Sequence, residues 1–266
     1  MKLAICIPCY GDTKAKFTQS LSEMLIHTLT TELLDADGER ITVEPQIFMV
    51  SCSMLTESRH RLVAEALAWE ADYMLMLDAD HIFPADTFCR LWAHNKPVVG
   101  ANYPRRHAPT APTAAYDDGT EHAKLLYTTE EKAKAGLVER AVHMGFGVCL
   151  VNMRVFDVLQ DHAEKEGDGN FLPLFKFEPT ENKVGMIGED VFFFRKLADA
   201  GIPAFVDHGL SWEVGHLYEV ILTNAHACVQ KDKWEQFRQK RADKFADKAA
   251  EIEHRSEDEM LTEGVE

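Results

Sequence analysis

The chain has 266 residues, 46% hydrophobic and 27% charged, which is ordinary for a soluble globular protein of one large or two small domains and excludes wholesale disorder. A formal net charge of -16 argues against a general basic footprint for nucleic acid or anionic membrane. The excess is uneven, with seven acidic residues against Arg255 between Glu251 and Glu266.

In chain order, Leu3 to Ile7 reads as a first strand, followed by a Pro/Gly turn and a helix over Lys16 to Leu34 with apolar residues at helical spacing. Val43 to Val50 is a second strand, and Arg59 to Glu70 a second helix preceded by a capping stretch, Ser53 to Ser58. A third strand from Tyr73 ends in Asp78-Ala79-Asp80. Pro84-Ala85-Asp86 then opens a short helix to His94, and Pro97 to Ala101 is a short strand. This alternation predicts an α/β fold, a parallel sheet with helices on both faces.

From Tyr103 to Glu139 the pattern breaks into a Pro/Thr/Ala-rich loop, long enough to suggest function. Val142 to Met153 returns to strand character, interrupted by Gly145 and Gly147, and Lys165 to Asn170 is a turn. Val191 to Ala200 is a helix stopped by Gly201-Ile202-Pro203, and Ala204 to Val206 a last strand. After Lys231 a charged helix carries Trp234, Phe237, Phe245, Ala249 and Ile252 near one stripe; such a helix packs across its own body or pairs with a second copy.

No apolar run approaches the roughly 20 residues of a membrane span, and Met1-Lys2-Leu3-Ala4-Ile5 enters a strand without a leader-like pattern, so a cytoplasmic protein is expected. The six cysteines are scattered, most in apolar contexts typical of reduced, buried thiols. Cys6-Ile7-Pro8-Cys9 has redox-motif spacing, but Cys6 lies inside a strand and Pro8 with Tyr10-Gly11 makes a strand-ending turn. No second pair follows at zinc-ribbon spacing.

The chemistry concentrates on Asp78 and Asp80. They end a buried-type strand, where open α/β sheets bind ligands, and carboxylates at a core edge need a cation or polar partner. A divalent metal carrying phosphates would satisfy both. The bland alternative is a helix-capping Asp80 with a solvated Asp78. Four further features bear on the choice. Pro8-Cys9-Tyr10-Gly11 offers a ring and a close-approach glycine for a nucleotide base, or is an ordinary turn. Arg59 offers a guanidinium for phosphates, or is a surface residue beside His60 and Arg61. Gly188-Glu189-Asp190 opens a helix with two acids that the helix dipole favours. His216 follows the last strand in a polar, glycine-flanked loop.

Their order resembles that of glycosyltransferases of the GT-A fold, in particular family 2-like bacterial and phage-type enzymes. The resemblance runs from Leu3 to about Leu217, most specifically through Met76-Leu77-Asp78-Ala79-Asp80, Gly188-Glu189-Asp190-Val191 and His216. It implies a Rossmann-like, mostly parallel central sheet flanked by helices, with the charged helix C-terminal. A catalytic domain would span 1–230, with a nucleotide-binding half at 1–101 and an acceptor and metal half at 102–230, followed by the helix and acidic tail at 231–266.

Carried over by position, Pro8, Tyr10 and Gly11 would frame the base of a nucleotide-sugar donor, a UDP-sugar first of all, with Arg59 and Ala79 beside it. Asp78 would contact the ribose or reach the metal through water, and Asp80 and His216 would bind Mn²⁺ or Mg²⁺ directly. Asp190 would be the general base of an inverting transfer and Glu189 a supporting acid; a misplaced Asp190 would leave a retaining route open. Tyr103-Pro104-Arg105-Arg106-His107 and Gly145-Phe146-Gly147 would face the acceptor, a glycan or small molecule. The alternatives are a phage-type enzyme acting on hydroxymethylated DNA bases in a host cytoplasm, a sugar nucleotidyltransferase, and a non-catalytic GT-A-like binding protein.

Overall fold

The segments Lys2–Cys9, Tyr73–Leu77 and Val148–Asn152 are apolar runs buried on both faces, which is what the centre of a sheet sandwiched between helix layers requires. A computed structural model describes residues 1–35, 37–106, 110–119, 123–167, 173–180 and 185–219, with Gln236, Gln239, Lys240 and Asp243. Its main sheet comprises β1 (Lys2–Cys9), β2 (Glu44–Ser51), β3 (Tyr73–Leu77), β4 (Val98–Gly100), β5 (Val138–Ala141), β6 (Val148–Asn152) and β7 (Ala204–Asp207). The spatial order is β5-β7-β4-β6-β3-β1-β2. Strands β1, β2, β3, β4 and β7 run one way; β6, between β3 and β4, and β5, at the edge, run the other.

Side-chain alternation divides the core in two. Ala4, Cys6, Met74 and Met76 face a cluster with Leu62, Val63 and Ala66 of α2 (Leu55–Ala68), Val155, Phe156 and Leu159 of α5 (Arg154–Lys165), and Phe193, Phe194 and Leu197 of α6 (Glu189–Asp199). Leu3, Ile5, Ile7, Leu75 and Leu77 face the other, with Phe17, Leu21 and Met24 of α1 (Ala15–Thr30), Phe88 and Leu91 of α3 (Thr87–Ala93), and Leu210 of α7 (His208–Glu213). Helices thus cover both faces, as the alternating pattern predicts.

The departures from expectation have local causes. Helix α1 stops at Thr30 rather than Leu34: β-branched Thr28, Thr30 and Thr31 weaken the last turn, and Leu33–Leu34 pairs antiparallel with Arg40–Ile41. Helix α2 starts at Leu55, taking in part of the stretch assigned to a cap. The segment from Tyr103 to Glu139 is not one loop. It contains α4 (Glu130–Lys134), the start of β5 and the Ala115–Tyr116 and Lys124–Leu125 ladder, and buried Asn102 ties it down, donating to Leu126 O at 2.6 Å and accepting from Ala114 N at 3.0 Å. Within Val142 to Met153 only β6 is strand. Helices α5 and α7 fall in segments where no element was expected.

Residues Met1–Leu217 form one compact unit and Tyr218–Glu266 a second. Of the C-terminal helix, Gln236, Gln239, Lys240 and Asp243 are helical; the rest of it, with the apolar stripe and the acidic tail, lies outside the described residues. No described helix is long and apolar enough to cross a membrane.

Candidate metal and donor site

At the C-terminal end of β3 the ladder to β6 continues one step, Asp78 N–H donating to Gly147 O at 2.9 Å, and the chain then turns, His81 N–H returning to Asp78 O at 3.1 Å. That turn delivers His81–Ile82 into an antiparallel ladder with Gly215–His216, His81 directly opposite His216. Directly opposed residues in such a ladder have neighbouring side chains. The two imidazoles stack accordingly, ring centroids 4.2 Å apart and 20° from coplanar. Leu217 N–H donates to Asp80 O at 2.8 Å, holding Asp80 at the end of the ladder. Gly215 is required here, because a Cβ on it would lie 2.7 Å from Ile82 Cγ1.

Three ligand atoms converge as a result. His81 Nδ1 lies 3.1 Å from Asp80 Oδ1, His216 Nε2 lies 3.5 Å from Asp80 Oδ2, and the ligand atoms of all three residues fall within 4.8 Å of one another. His216 Nδ1 stands 2.9 Å from Pro104 O. A carbonyl only accepts, so Nδ1 carries a hydrogen, the outer hydrogen bonding characteristic of metal-bound histidines, and Nε2 is the ring atom that faces Asp80. His81 is 1% exposed, and neither ring nitrogen has an aligned hydrogen-bond partner. Buried polar atoms without partners are costly, and a cation between these groups would relieve the nitrogen that faces Asp80.

Two imidazoles and one carboxylate suit Mn²⁺ or a related transition metal better than Mg²⁺, which prefers oxygen and its own water. Burial opposes ionisation of Asp80, but His216, His81 and Arg106 outweigh it and hold the carboxyl well below the usual range.

Packing fixes the ring positions. A Cβ on Gly147 would sit 2.5 Å from His81 Cε1 and 2.7 Å from Tyr103 Oη, and one on Gly145 would collide with the Tyr103 hydroxyl. Tyr103 Oη accepts from Gly147 N at 2.8 Å, and its ring meets His81 edge-on at 4.2 Å. The Gly145-Phe146-Gly147 segment, expected to admit an acceptor, is therefore occupied by Tyr103 and His81, and Phe146 is wholly buried.

Asp78 belongs to a different group. Arg59, 2% exposed, donates from Nη2 to Asp78 Oδ1 and Oδ2 at 3.3 and 3.4 Å, and its Nε lies 3.4 Å from Glu189 Oε1. The guanidinium carbon stands 5.2 Å from the centre of the Phe146 ring. Arg59 is thus an enclosed tie between the end of β3 and the start of α6, rather than an exposed arginine waiting for phosphates. Asp78 accordingly does not join the three-ligand cluster in which it was expected. Burial raises the Glu189 carboxyl above its ordinary range, with Arg59 opposing the rise. Asp190, also in the first turn of α6, accepts from Val191 N at 2.7 Å.

The remaining expected residues lie at the same sheet end. Pro8 is buried in β1, Tyr10 is 81% exposed just beyond it, and Gly11 has φ +79°, a left-handed conformation that favours glycine. Ala79 packs against the second core cluster. His107 lies outside the described residues. The residue that sequence reasoning missed is His81; its signal was adjacency to Asp80 where the strand has ended and alternation no longer assigns a face.

No protein-family model and no curated protein matches the sequence. Among solved structures, GalNAc-T7 in complex with UDP, GalNAc and Mn²⁺ is similar over 83% of this chain and 44% of that one, at 12% identity and a TM-score of 0.51. A197 from STIV aligns over 84% of this chain and 97% of that one, at 12% identity and a TM-score of 0.47. The likeness to GalNAc-T7 agrees with the topology and places the chain in the GT-A fold; neither match singles out family 2.

Proposed function

We propose that this protein is a metal-dependent glycosyltransferase, moving a sugar from a nucleotide-sugar donor to an acceptor hydroxyl. The observation that carries the reading is the Asp80, His81 and His216 cluster at the carboxyl end of the strands of a GT-A sheet. The donor would be a UDP-sugar, the nucleotide named with GalNAc-T7, and the metal Mn²⁺.

In this reading Asp80, His81 and His216 hold the ion, which when bound would neutralise the charge developing on the departing nucleoside diphosphate. Tyr10 and Gly11 offer the base a ring and an open backbone, and Pro8 sets the turn that presents them. Asp78, steadied by Arg59 from behind and flanked by Ala79, takes the ribose side. Asp190 removes the acceptor proton; in-line attack from its side of the sugar inverts the anomeric centre. Glu189, its carboxyl raised by burial, supports the acceptor side. The acceptor is a glycan or small-molecule hydroxyl.

The test is a thermal-shift screen of nucleoside diphosphates with and without Mn²⁺. Stabilisation by UDP that requires Mn²⁺ and disappears in Asp80→Ala supports the reading; no metal-dependent shift with any nucleotide overturns it. Asp190→Asn should keep the UDP shift while transfer falls by about 10²-fold or more, the usual worth of a general base.

A further inference from the structure

Arg106 is the feature that the metal reading leaves unused. Its Nη1 lies 2.5 Å from Asp80 Oδ2, the oxygen that also faces His216 Nε2 at 3.5 Å, and its side chain is half exposed. Two residues earlier, Pro104 O holds His216 Nδ1. One short stretch of chain therefore grips two of the three ligands: it orients His216 for a metal through a backbone carbonyl, and it supplies Asp80 with a cation through a side chain. These two actions oppose each other. A lone pair given to a guanidinium hydrogen is withdrawn from a metal, and a dication bound between Asp80 and His216 repels a guanidinium in contact with the same carboxylate. Only an arriving anion lets both cations stay. A diphosphate supplies that anion and presents oxygens that a guanidinium recognises in bidentate fashion.

We propose that Arg106 guards the metal site, pairing with Asp80 while no diphosphate is present and transferring to the donor's diphosphate when it arrives, so that metal and donor bind cooperatively. This rests on the metal-site reading above. The coupling is reciprocal: whatever UDP adds to Mn²⁺ affinity, Mn²⁺ adds to UDP affinity. The exposure of Arg106 keeps the effect modest, because a half-exposed ion pair competes weakly.

Calorimetric titration of Mn²⁺ into wild type, Arg106→Gln and Arg106→Lys, each with and without saturating UDP, tests the proposal. Without UDP, R106Q should bind Mn²⁺ about fivefold more tightly than wild type and R106K within about twofold of it, the range expected for losing or keeping one partly exposed charge partner. The factor by which UDP tightens Mn²⁺ binding should be smaller in R106Q than in wild type. Equal or weaker Mn²⁺ binding by R106Q without UDP overturns the guarding role and leaves the metal site standing; an unchanged UDP factor overturns the transfer to diphosphate. If none of the three proteins binds Mn²⁺ while circular dichroism shows all of them folded, the metal reading itself fails and the guard with it.

Discussion

Replacing Arg59 by methionine keeps the unbranched stem that packs on Phe146 and removes the charge that serves two carboxylates. Arg59 is 2% exposed, Asp78 and Glu189 stand 3.3 and 3.4 Å from its nitrogens, and their side chains are 23% and 9% exposed. Breaking a buried ion pair by removing one partner costs about 3–5 kcal/mol; Asp78 can rehydrate, which puts R59M near about 3 kcal/mol at pH 8. The loss should depend on pH with a definite sign. Burial already raises the Glu189 carboxyl in the folded state and Arg59 opposes the rise, so R59M raises it further. An acid raised on folding binds more protons folded than unfolded. Its penalty is absent below the unfolded value of about 4.3, grows as pH rises from there to the folded value, and is complete above it. The difference between wild type and R59M should therefore shrink from pH 8 to pH 5. Urea denaturation of both proteins at the two pH values measures it, and Glu189→Gln added to R59M should recover much of the loss at pH 8. A difference below about 0.5 kcal/mol at pH 8, or one that ignores pH, would refute the view that Arg59 ties β3 to α6.

Two further perturbations probe the scaffold. Gly147→Ala drives a Cβ to 2.5 Å from His81 and 2.7 Å from Tyr103, both confined rings. It should cost about 1–3 kcal/mol by urea denaturation and weaken Mn²⁺ binding at least about tenfold by calorimetry; unchanged affinity would mean that Gly147 does not set the His81 position. Asp207 caps α7, accepting from Leu210 N at 2.9 Å, and its other oxygen faces His94 Nε2 at 2.9 Å. Asp207→Ala should cost about 2 kcal/mol at pH 7. Burial opposes ionisation of Asp207, but His94 and the Leu210 N–H outweigh it and lower the carboxyl. That stabilisation is complete above the unfolded value of about 3.9 and is lost as pH falls through the folded one. Acid unfolding curves of the two proteins should converge below about pH 4, and a constant gap would count against the assignment.

The sequence made the sheet legible wherever apolar runs were long and bounded by turn residues, as at β1, β2 and β3. Short strands defeated it. β5 is Val-Glu-Arg-Ala, buried only at Ala141, and nothing in that composition separates it from a loop. Helix α5 was legible in principle, since Val155, Phe156, Leu159 and Ala163 recur at helical spacing opposite a polar face. At the site, the sequence marks which residue types can bind a cation and not which neighbours occupy them. Arg59, His60 and Arg61 look equivalent in a row. Helix geometry turns Arg59 inward to Asp78, and sets His60 to donate from Nδ1 to Thr56 O at 2.7 Å while its Nε2 accepts from Leu174 N at 2.9 Å.

The two acids at the end of β3 diverge for a geometric reason. Met74 and Met76 point to the face covered by α2, α5 and α6, whereas Leu75 and Leu77 point to the other. Asp78 keeps the even register because its N–H still donates to Gly147 O in the ladder with β6, so it lands against Arg59 and Glu189. Had the strand continued, Asp80 would have followed it onto that face. The turn closed by His81 N–H on Asp78 O interrupts the alternation and sends Asp80 toward the His216 ladder. The same turn brings His81 beside Asp80 and His216, the place expected of Asp78. An Asp-x-Asp pair at a strand end thus carries two electrostatic assignments: one carboxylate paired with a buried arginine that ties two elements together, and one facing two imidazoles and the half-exposed Arg106.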